Sequence, residues 1–304
     1  MTVDLAHTLL TRADTILLGK APQLRLALCC MLARGHLLIE DVPGVGKTTL
    51  AHLLARLPGL AFQRIQFTSD LLPADILGVS VFDRSANGFQ FHRGPIFAQL
   101  ILADEINRAT PKTQSALLEA MEEEQITADG TTYPLPTPFF VIATQNPSTQ
   151  VGTFPLPESQ LDRFLMRLQL GYPDAAAERA LLLGENRRDL LAALEPVIDP
   201  DTLIEMQRAC AKVHVSGPLA DYVQALLEAS RRGADDSPGL SPRAGLGLIG
   251  AARAWAWLNR RDHVQPEDIQ RVFSPVASHR LGLAHSVSAA DARCRALIES
   301  VPLP

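Results

Sequence analysis

The chain has 304 residues, 47% apolar and 20% charged, the makeup of a globular protein with a large core and room for two domains. A net charge of −5 and a pI near 5.9 give no electrostatic ground for tight binding to nucleic acid or an anionic membrane. Four cysteines without a Cys-x-x-Cys pair and eight histidines without ligand spacing argue against a disulfide framework or a His/Cys metal site. No basic-then-apolar leader and no run of about 20 apolar residues is found, so a cytoplasmic protein without a membrane span is expected.

In chain order, residues 3–33 predict helices, the second opening near Pro22 and stopped at Gly35. His36 to Glu40 predicts a short buried strand. Leu50, Leu53, Leu54 and Leu57 form the stripe of an amphipathic helix over 47–57, ended by Pro58-Gly59. A strand follows over 60–68. Val79 to Phe82 and Phe89 to Phe91 flank the turn Ser85-Ala86-Asn87-Gly88 and predict a hairpin over 79–91. Phe97 to Ala103 predicts the next buried strand. Thr110-Pro111 opens a helix to about Glu123, and a second hairpin spans 125–136 around Asp129-Gly130. Buried strands are expected over 139–143 and 164–170. Alternating strands and helices imply a parallel sheet covered on both faces. After Tyr172-Pro173 only helical patterns remain, over 174–186, 200–213, 218–232, 242–260 and 266–273, with a loop at Pro238-Gly239 and Ser241-Pro242. The expected division is therefore an α/β domain over 1–172 and an all-helical domain over 173–304.

The apolar run Leu37-Leu38-Ile39 leads into Asp41-Val42-Pro43-Gly44-Val45-Gly46-Lys47-Thr48-Thr49. A strand, a glycine-rich turn and Lys-Thr at a helix start make a P-loop. Gly44 and Gly46 free backbone N–H groups to turn toward phosphate oxygens, and the helix N-terminus adds donors and positive dipole. Lys47 would neutralise β/γ-phosphate charge and the Thr48 hydroxyl would ligate Mg²⁺. The strict pattern has glycine where this chain has Asp41; aspartate also tolerates turn conformations. Leu100 to Ala103 then delivers Asp104 and Glu105 to a strand end. Asp104 is expected to hold Mg²⁺ through its water shell, and Glu105 to orient and deprotonate water. Phe139 to Ala143 runs into Thr144-Gln145-Asn146-Pro147. Asn146 is either an amide that bonds γ-phosphate and lytic water, or a plain Asn-Pro turn.

Taken together, the chain resembles the MoxR family of AAA+ ATPases over nearly its whole length. The resemblance rests on the stretch from Arg93-Gly94-Pro95 through Asp104-Glu105 to Met121, on 140–147, on Leu156 to Phe164, and on Leu240-Ser241-Pro242-Arg243-Ala244. It implies a P-loop AAA+ core with a parallel five-stranded sheet flanked by helices, then a smaller all-α lid. Asn146 matches sensor 1. Arg163 matches the arginine finger that reaches the γ-phosphate of the neighbouring subunit. Arg243 matches sensor 2, which reaches the same nucleotide from the lid, and Arg108 falls near the expected subunit interface. The hairpins occupy the positions of the helix-2 insert and pre-sensor-1 hairpin, where Phe82, Phe89 and Phe91 are either exposed partner contacts or a small core.

The resemblance further implies an ATP- and Mg²⁺-dependent, chaperone-like remodeller. It would form a homo-oligomer, a hexameric ring, acting on a client protein in maturation or metal loading with a von Willebrand factor A domain partner. Two alternatives stand beside it: an AAA+ ATPase acting on nucleic acid or transcription machinery, and an ATP-dependent assembly scaffold. The acidic balance weighs against the first, and the set Lys47, Asp104, Glu105 and Arg163 weighs against the second.

Overall fold

The structure, a computed structural model, describes residues 2–85, 87–146, 153–232, 239–281 and 287–304. Thr2–Asp14 (α1) and Ala21–Leu32 (α2) precede Leu37–Glu40 (β1), Lys47–Arg56 (α3) and Phe62–Gln66 (β2). Pro73–Leu77 (α4) leads into the hairpin Gly78–Asp83 (β3) and Gly88–Arg93 (β4). Next come Leu100–Asp104 (β5), Pro111–Glu123 (α5), the hairpin Gln125–Ala128 (β6) and Thr131–Pro134 (β7), Phe140–Gln145 (β8), Glu158–Leu161 (α6) and Met166–Leu168 (β9). The rest is helical: Ala175–Leu183 (α7), Arg187–Ala192 (α8), Pro200–Ala211 (α9), Gly217–Arg231 (α10), Pro242–Leu258 (α11), Pro266–Ala277 (α12), a 3-10 turn at Ser278–Arg280, and Val287–Ser300 (α13).

The five main strands form one parallel sheet in the order β2-β5-β8-β1-β9. Successive side chains of a strand point to opposite faces. Here Leu37, Ile39, Leu100, Leu102, Phe140 and Ile142 enter one hydrophobic cluster. Leu38, Ile101, Ala103, Val141 and Ala143 enter the other. Both faces are thus buried, which is why these strands read as unbroken apolar runs. The first cluster continues from α1, α2 and α3 into α9, α11 and α12, so the N-terminal helices are packed against the helical part as well as the sheet.

The helical part is punctuated by its caps. The side chains of Asp174, Asn186, Asp199, Ser216 and Ser241 accept hydrogen bonds from backbone N–H groups in the first turns of α7 to α11. Each such cap stabilises a helix by about 1 kcal/mol.

Several boundaries differ from the sequence reading. Strand β5 starts at Leu100, not Phe97, because Pro95–Phe97 forms a 3-10 turn. Strand β9 is three residues long, since Leu170 and Gly171 already turn away. Helix α12 runs past Phe273 with Pro275 inside it, and α4, α8 and α13 are additional helices. Ala86, Pro147 and Pro238, named in the turn and loop readings, lie outside the described residues.

Of the hairpin aromatics, Phe82 and Phe89 are exposed, paired across the strands and in edge contact at 5.4 Å. Phe91 instead stacks on Tyr133 of the second hairpin at 4.4 Å. Phe82 and Phe89 are thus exposed, as the first alternative requires, and Phe91 packs between the two hairpins.

Candidate functional site: a phosphate-binding cavity and a separate arginine cluster

Strands β1, β8 and β5 are neighbours, and their C-terminal ends converge on one cavity of about 310 Å³. Open α/β sheets bind ligands at this edge. Pro43, Gly44, Gly46, Lys47, Thr48 and Thr49 line one side; Asp104, Glu105 and Asn146 line the other.

The loop is shaped for close approach of a ligand. Gly44 has φ +85°, and a β-carbon there would meet nothing within 4 Å, leaving an open cradle in front of the backbone. Gly46 has φ +99°, and a β-carbon would meet the Leu17 side chain at 2.8 Å. Val45 is buried in the core and Val42 packs against it, so these two side chains anchor the loop.

Asp41, at the first glycine position, faces away from the cavity. Its Oδ2 accepts the backbone N–H groups of Leu170 and Gly171, both at 2.7 Å, and its Oδ1 accepts that of Val42 at 2.8 Å. The carboxylate thus ties the P-loop to the chain turn that leaves β9. The buried Lys20 donates to the Tyr172 carbonyl at 2.7 Å, fixing the next residue of that turn.

Lys47 is buried, and its Nζ donates to the Asp41 carbonyl at 2.6 Å and to Asn146 Oδ1 at 3.4 Å. Burial lowers its pKa, while the charges of Asp41, Asp104 and Glu105 oppose that shift. Asn146 Nδ2 in turn donates to Glu105 Oε1 at 2.9 Å. One amide therefore stands between the Lys47 ammonium and the Glu105 carboxylate.

Glu105 adopts φ +56°, a left-handed conformation rare outside glycine. Its N–H donates to Thr144 Oγ1 at 2.9 Å, and the Thr144 hydroxyl donates to Asp104 Oδ1 at 2.6 Å. The buried Thr144 thereby fixes both acids. The second Glu105 oxygen accepts from Gln66 at 3.0 Å and Arg108 at 2.8 Å. Arg64 donates to Asp104 Oδ2 through Nε at 3.1 Å and Nη2 at 2.6 Å. Thr144, Gln66 and Arg64 were not singled out in the sequence. Gln66 lies opposite Asp104 in the sheet register, which a single chain pattern does not reveal.

The donor set suits a triphosphate with a divalent cation: backbone N–H groups, one lysine, a threonine hydroxyl and two carboxylates. Thr48 and Asp104 are the residues that would hold the cation. Asp104 is held in place by Thr144 and Arg64, which fits contact through the ion's water shell.

Arg163 and Arg243 are drawn together elsewhere. Arg163 Nε meets Glu122 Oε2 at 3.0 Å, and Arg243 Nη1 meets Glu122 Oε1 at 2.8 Å. Glu122 closes α5, and Arg243 lies in the first turn of α11.

Comparison with known proteins agrees with this geometry. Residues 36–166 match the ATPase family associated with various cellular activities (AAA), and residues 235–299 match the AAA lid domain. The chain is 43% identical to the uncharacterized protein YeaC of Bacillus subtilis (strain 168), covering 98% of this chain and 96% of that one. It is 40% identical to Chaperone MoxR1 of Mycobacterium tuberculosis, covering 93% and 78%, and 34% identical to Protein MoxR of Paracoccus denitrificans, covering 88% and 86%. A crystal structure of a presumed ATPase from Cytophaga hutchinsonii superposes with a TM-score of 0.87 at 34% identity, over 100% of this chain and 96% of that one.

Proposed function

Because this chain belongs to the MoxR family of AAA+ ATPases, we propose that its cavity binds ATP with Mg²⁺ and hydrolyses it to ADP and phosphate. The observation that carries this reading is the convergence of Lys47, Asn146, Glu105 and Asp104 on one cavity beneath the P-loop. Backbone N–H groups of the loop and Lys47 bind the phosphates. Glu105 orients a water and takes its proton as the water oxygen attacks the γ-phosphorus. The bond to the β–γ bridging oxygen breaks, and ADP leaves. Asn146, between Lys47 and Glu105, aligns water and γ-phosphate. Thr48 and Asp104 are the residues that would hold a magnesium ion, which would supply positive charge to the phosphates when bound.

Transition-state charge still calls for a cation on the far side. In this reading Arg163 supplies it to the neighbouring subunit's nucleotide, with Arg243 beside it, and this makes turnover depend on a homo-oligomeric ring, six-membered by family expectation. The work done is chaperone-like remodelling of a client protein in maturation or metal loading, with a von Willebrand factor A domain protein as partner, in the cytoplasm. A relative named as a chaperone supports the client role, and four free, buried cysteines support the compartment.

The test is Glu105→Gln, which keeps the side chain's shape and removes its basicity. ATP binding, followed with a fluorescent analogue, should persist while phosphate release falls by about 10² or more. Normal phosphate release from this variant would remove Glu105 from the role of base.

A further inference from the structure

Arg280 is 7% exposed, and an arginine so deeply buried is stable only if its fork of five N–H donors finds acceptors. All five do. Nε donates to Asp162 Oδ1 at 2.6 Å; Nη2 donates to the Asp162 carbonyl at 3.0 Å and the Phe164 carbonyl at 2.7 Å; Nη1 donates to the Leu165 carbonyl at 3.1 Å and to the Val276 carbonyl. Four of these five acceptors lie within Asp162 to Leu165, and the carbonyls captured by Nη2 flank Arg163 on either side. Two further side chains of the helical part reach the same segment. His279 donates through Nε2 to the Phe164 carbonyl at 3.0 Å, and the Ser241 hydroxyl donates to Asp162 Oδ2 at 3.1 Å.

We infer that Arg280 is a positioning residue for Arg163: it clamps the backbone on both sides of the finger to the helical lid of the same chain. Finger and lid then move as one body, and a change of lid angle in one subunit displaces the cation offered to its neighbour. A purely structural bond between the two parts could have fallen anywhere along their contact. Here the lid's Arg280, His279 and Ser241 all converge on the residues adjoining Arg163, and Arg243 joins Arg163 itself through Glu122. The inference rests on the proposed action of Arg163 across the subunit boundary.

Arg280→Lys keeps the charge but loses the planar fork; Asp162→Asn removes the charged acceptor at nearly constant size. Each should lower kcat by about tenfold or more, with KM and the affinity for a fluorescent ATP analogue changed by less than about threefold. The decisive measurement is mixing. Glu105→Gln subunits scarcely hydrolyse ATP but carry an intact finger, so mixed oligomers with Arg280→Lys should turn over ATP faster than either parent alone. No recovery, or loss of nucleotide binding in the Arg280→Lys protein itself, would mean that Arg280 serves its own pocket or the fold, and the inference falls. Should Arg280→Lys fail to reach the wild-type circular dichroism spectrum, the same mixture with Asp162→Asn decides. Arg163→Ala runs alongside. If it recovers on mixing and the clamp variants do not, the clamp alone is refuted; if it keeps full turnover unmixed, the finger reading fails and takes the clamp with it.

Discussion

The P-loop cavity and the Glu122 cluster handle charge in opposite ways. Around the cavity Lys47, Asp104 and Glu105 each have several partners within the chain: Lys47 the Asp41 carbonyl and Asn146, Asp104 the buried Thr144 and the exposed Arg64, Glu105 the buried Asn146 and the exposed Gln66 and Arg108. In the cluster two guanidinium groups share a single carboxylate whose side chain is 36% exposed. Exposed ion pairs are worth only about 0–1 kcal/mol each. The first arrangement is a preorganised receptor. The second holds two positive charges on one half-exposed carboxylate, the weak tether that the proposed role of Arg163 needs. In the proposed reading, one half-site is finished by folding and the other by a neighbouring subunit.

That contrast breaks most visibly at Arg163. Arg163→Ala should leave nucleotide binding by the intact cavity nearly unchanged while lowering steady-state phosphate release by about 10³ in the assembled oligomer. Unchanged turnover in an oligomer confirmed by light scattering would make the cluster a surface salt bridge and nothing more.

A smaller effect is expected at Asp41, which belongs to the receptor yet touches no cavity surface with its side chain. Asp41→Ala strips an ionised acceptor from three backbone N–H groups, at a cost of about 2–4 kcal/mol. The urea midpoint should fall, and nucleotide affinity with it, because the Asp41 carbonyl also steadies Lys47. Asp41→Gly restores the general P-loop pattern and should rescue neither property. If glycine performs as well as aspartate, the carboxylate is not what joins the P-loop to the turn at Leu170 and Gly171.

How far these features were legible in the sequence follows from the distance over which each acts. Strands β1, β5 and β8 announce themselves as apolar runs because both sheet faces are buried, and Lys47, Asp104 and Glu105 sit at fixed offsets from those runs. Asn146 was legible only as one of two options until its amide was seen between Lys47 and Glu105. Arg64, Gln66 and Thr144 act across strands, and no local pattern gives strand order or register. The partners of Asp41 lie near the far end of the sheet sequence, and Arg280 looks like any surface arginine until its five acceptors are counted. Helix α12 outruns the expected 266–273: Pro275 disfavours a helix interior, and the packing of Val272, Phe273, Val276 and Ala277 into the core carries the helix through it.

The two regions are also joined, through His36. The Val141 N–H donates to its Nδ1 at 3.1 Å, and its Nε2–H donates to the Met121 carbonyl at 3.2 Å, one residue before Glu122. It therefore links β8, which ends near Asn146, to the end of α5. The bonding pattern requires neutral imidazole, since a proton on Nδ1 would face another donor. Burial pushes its pKa down to about 4; the bond to Met121 opposes this, and the positive charge of Arg243 adds to it. Because the folded pKa lies below the unfolded value of about 6.5, the unfolded chain binds the extra proton first as pH falls. The stabilising contribution is therefore complete above about pH 6.5 and is lost progressively toward pH 4, amounting to a loss of about 1 kcal/mol at pH 5.5. Glutamine can accept from Val141 and donate to Met121 without titrating. Urea midpoints of His36→Gln should thus track wild type at pH 8, apart from a constant offset, and fall less steeply between pH 6.5 and 4.5. His279, also buried and held neutral, contributes the same sign in both proteins and cancels from the difference. Parallel curves across that window would show that His36 takes up its proton equally in the folded and unfolded chain, so that the link between cavity and cluster does not require its bond from Val141.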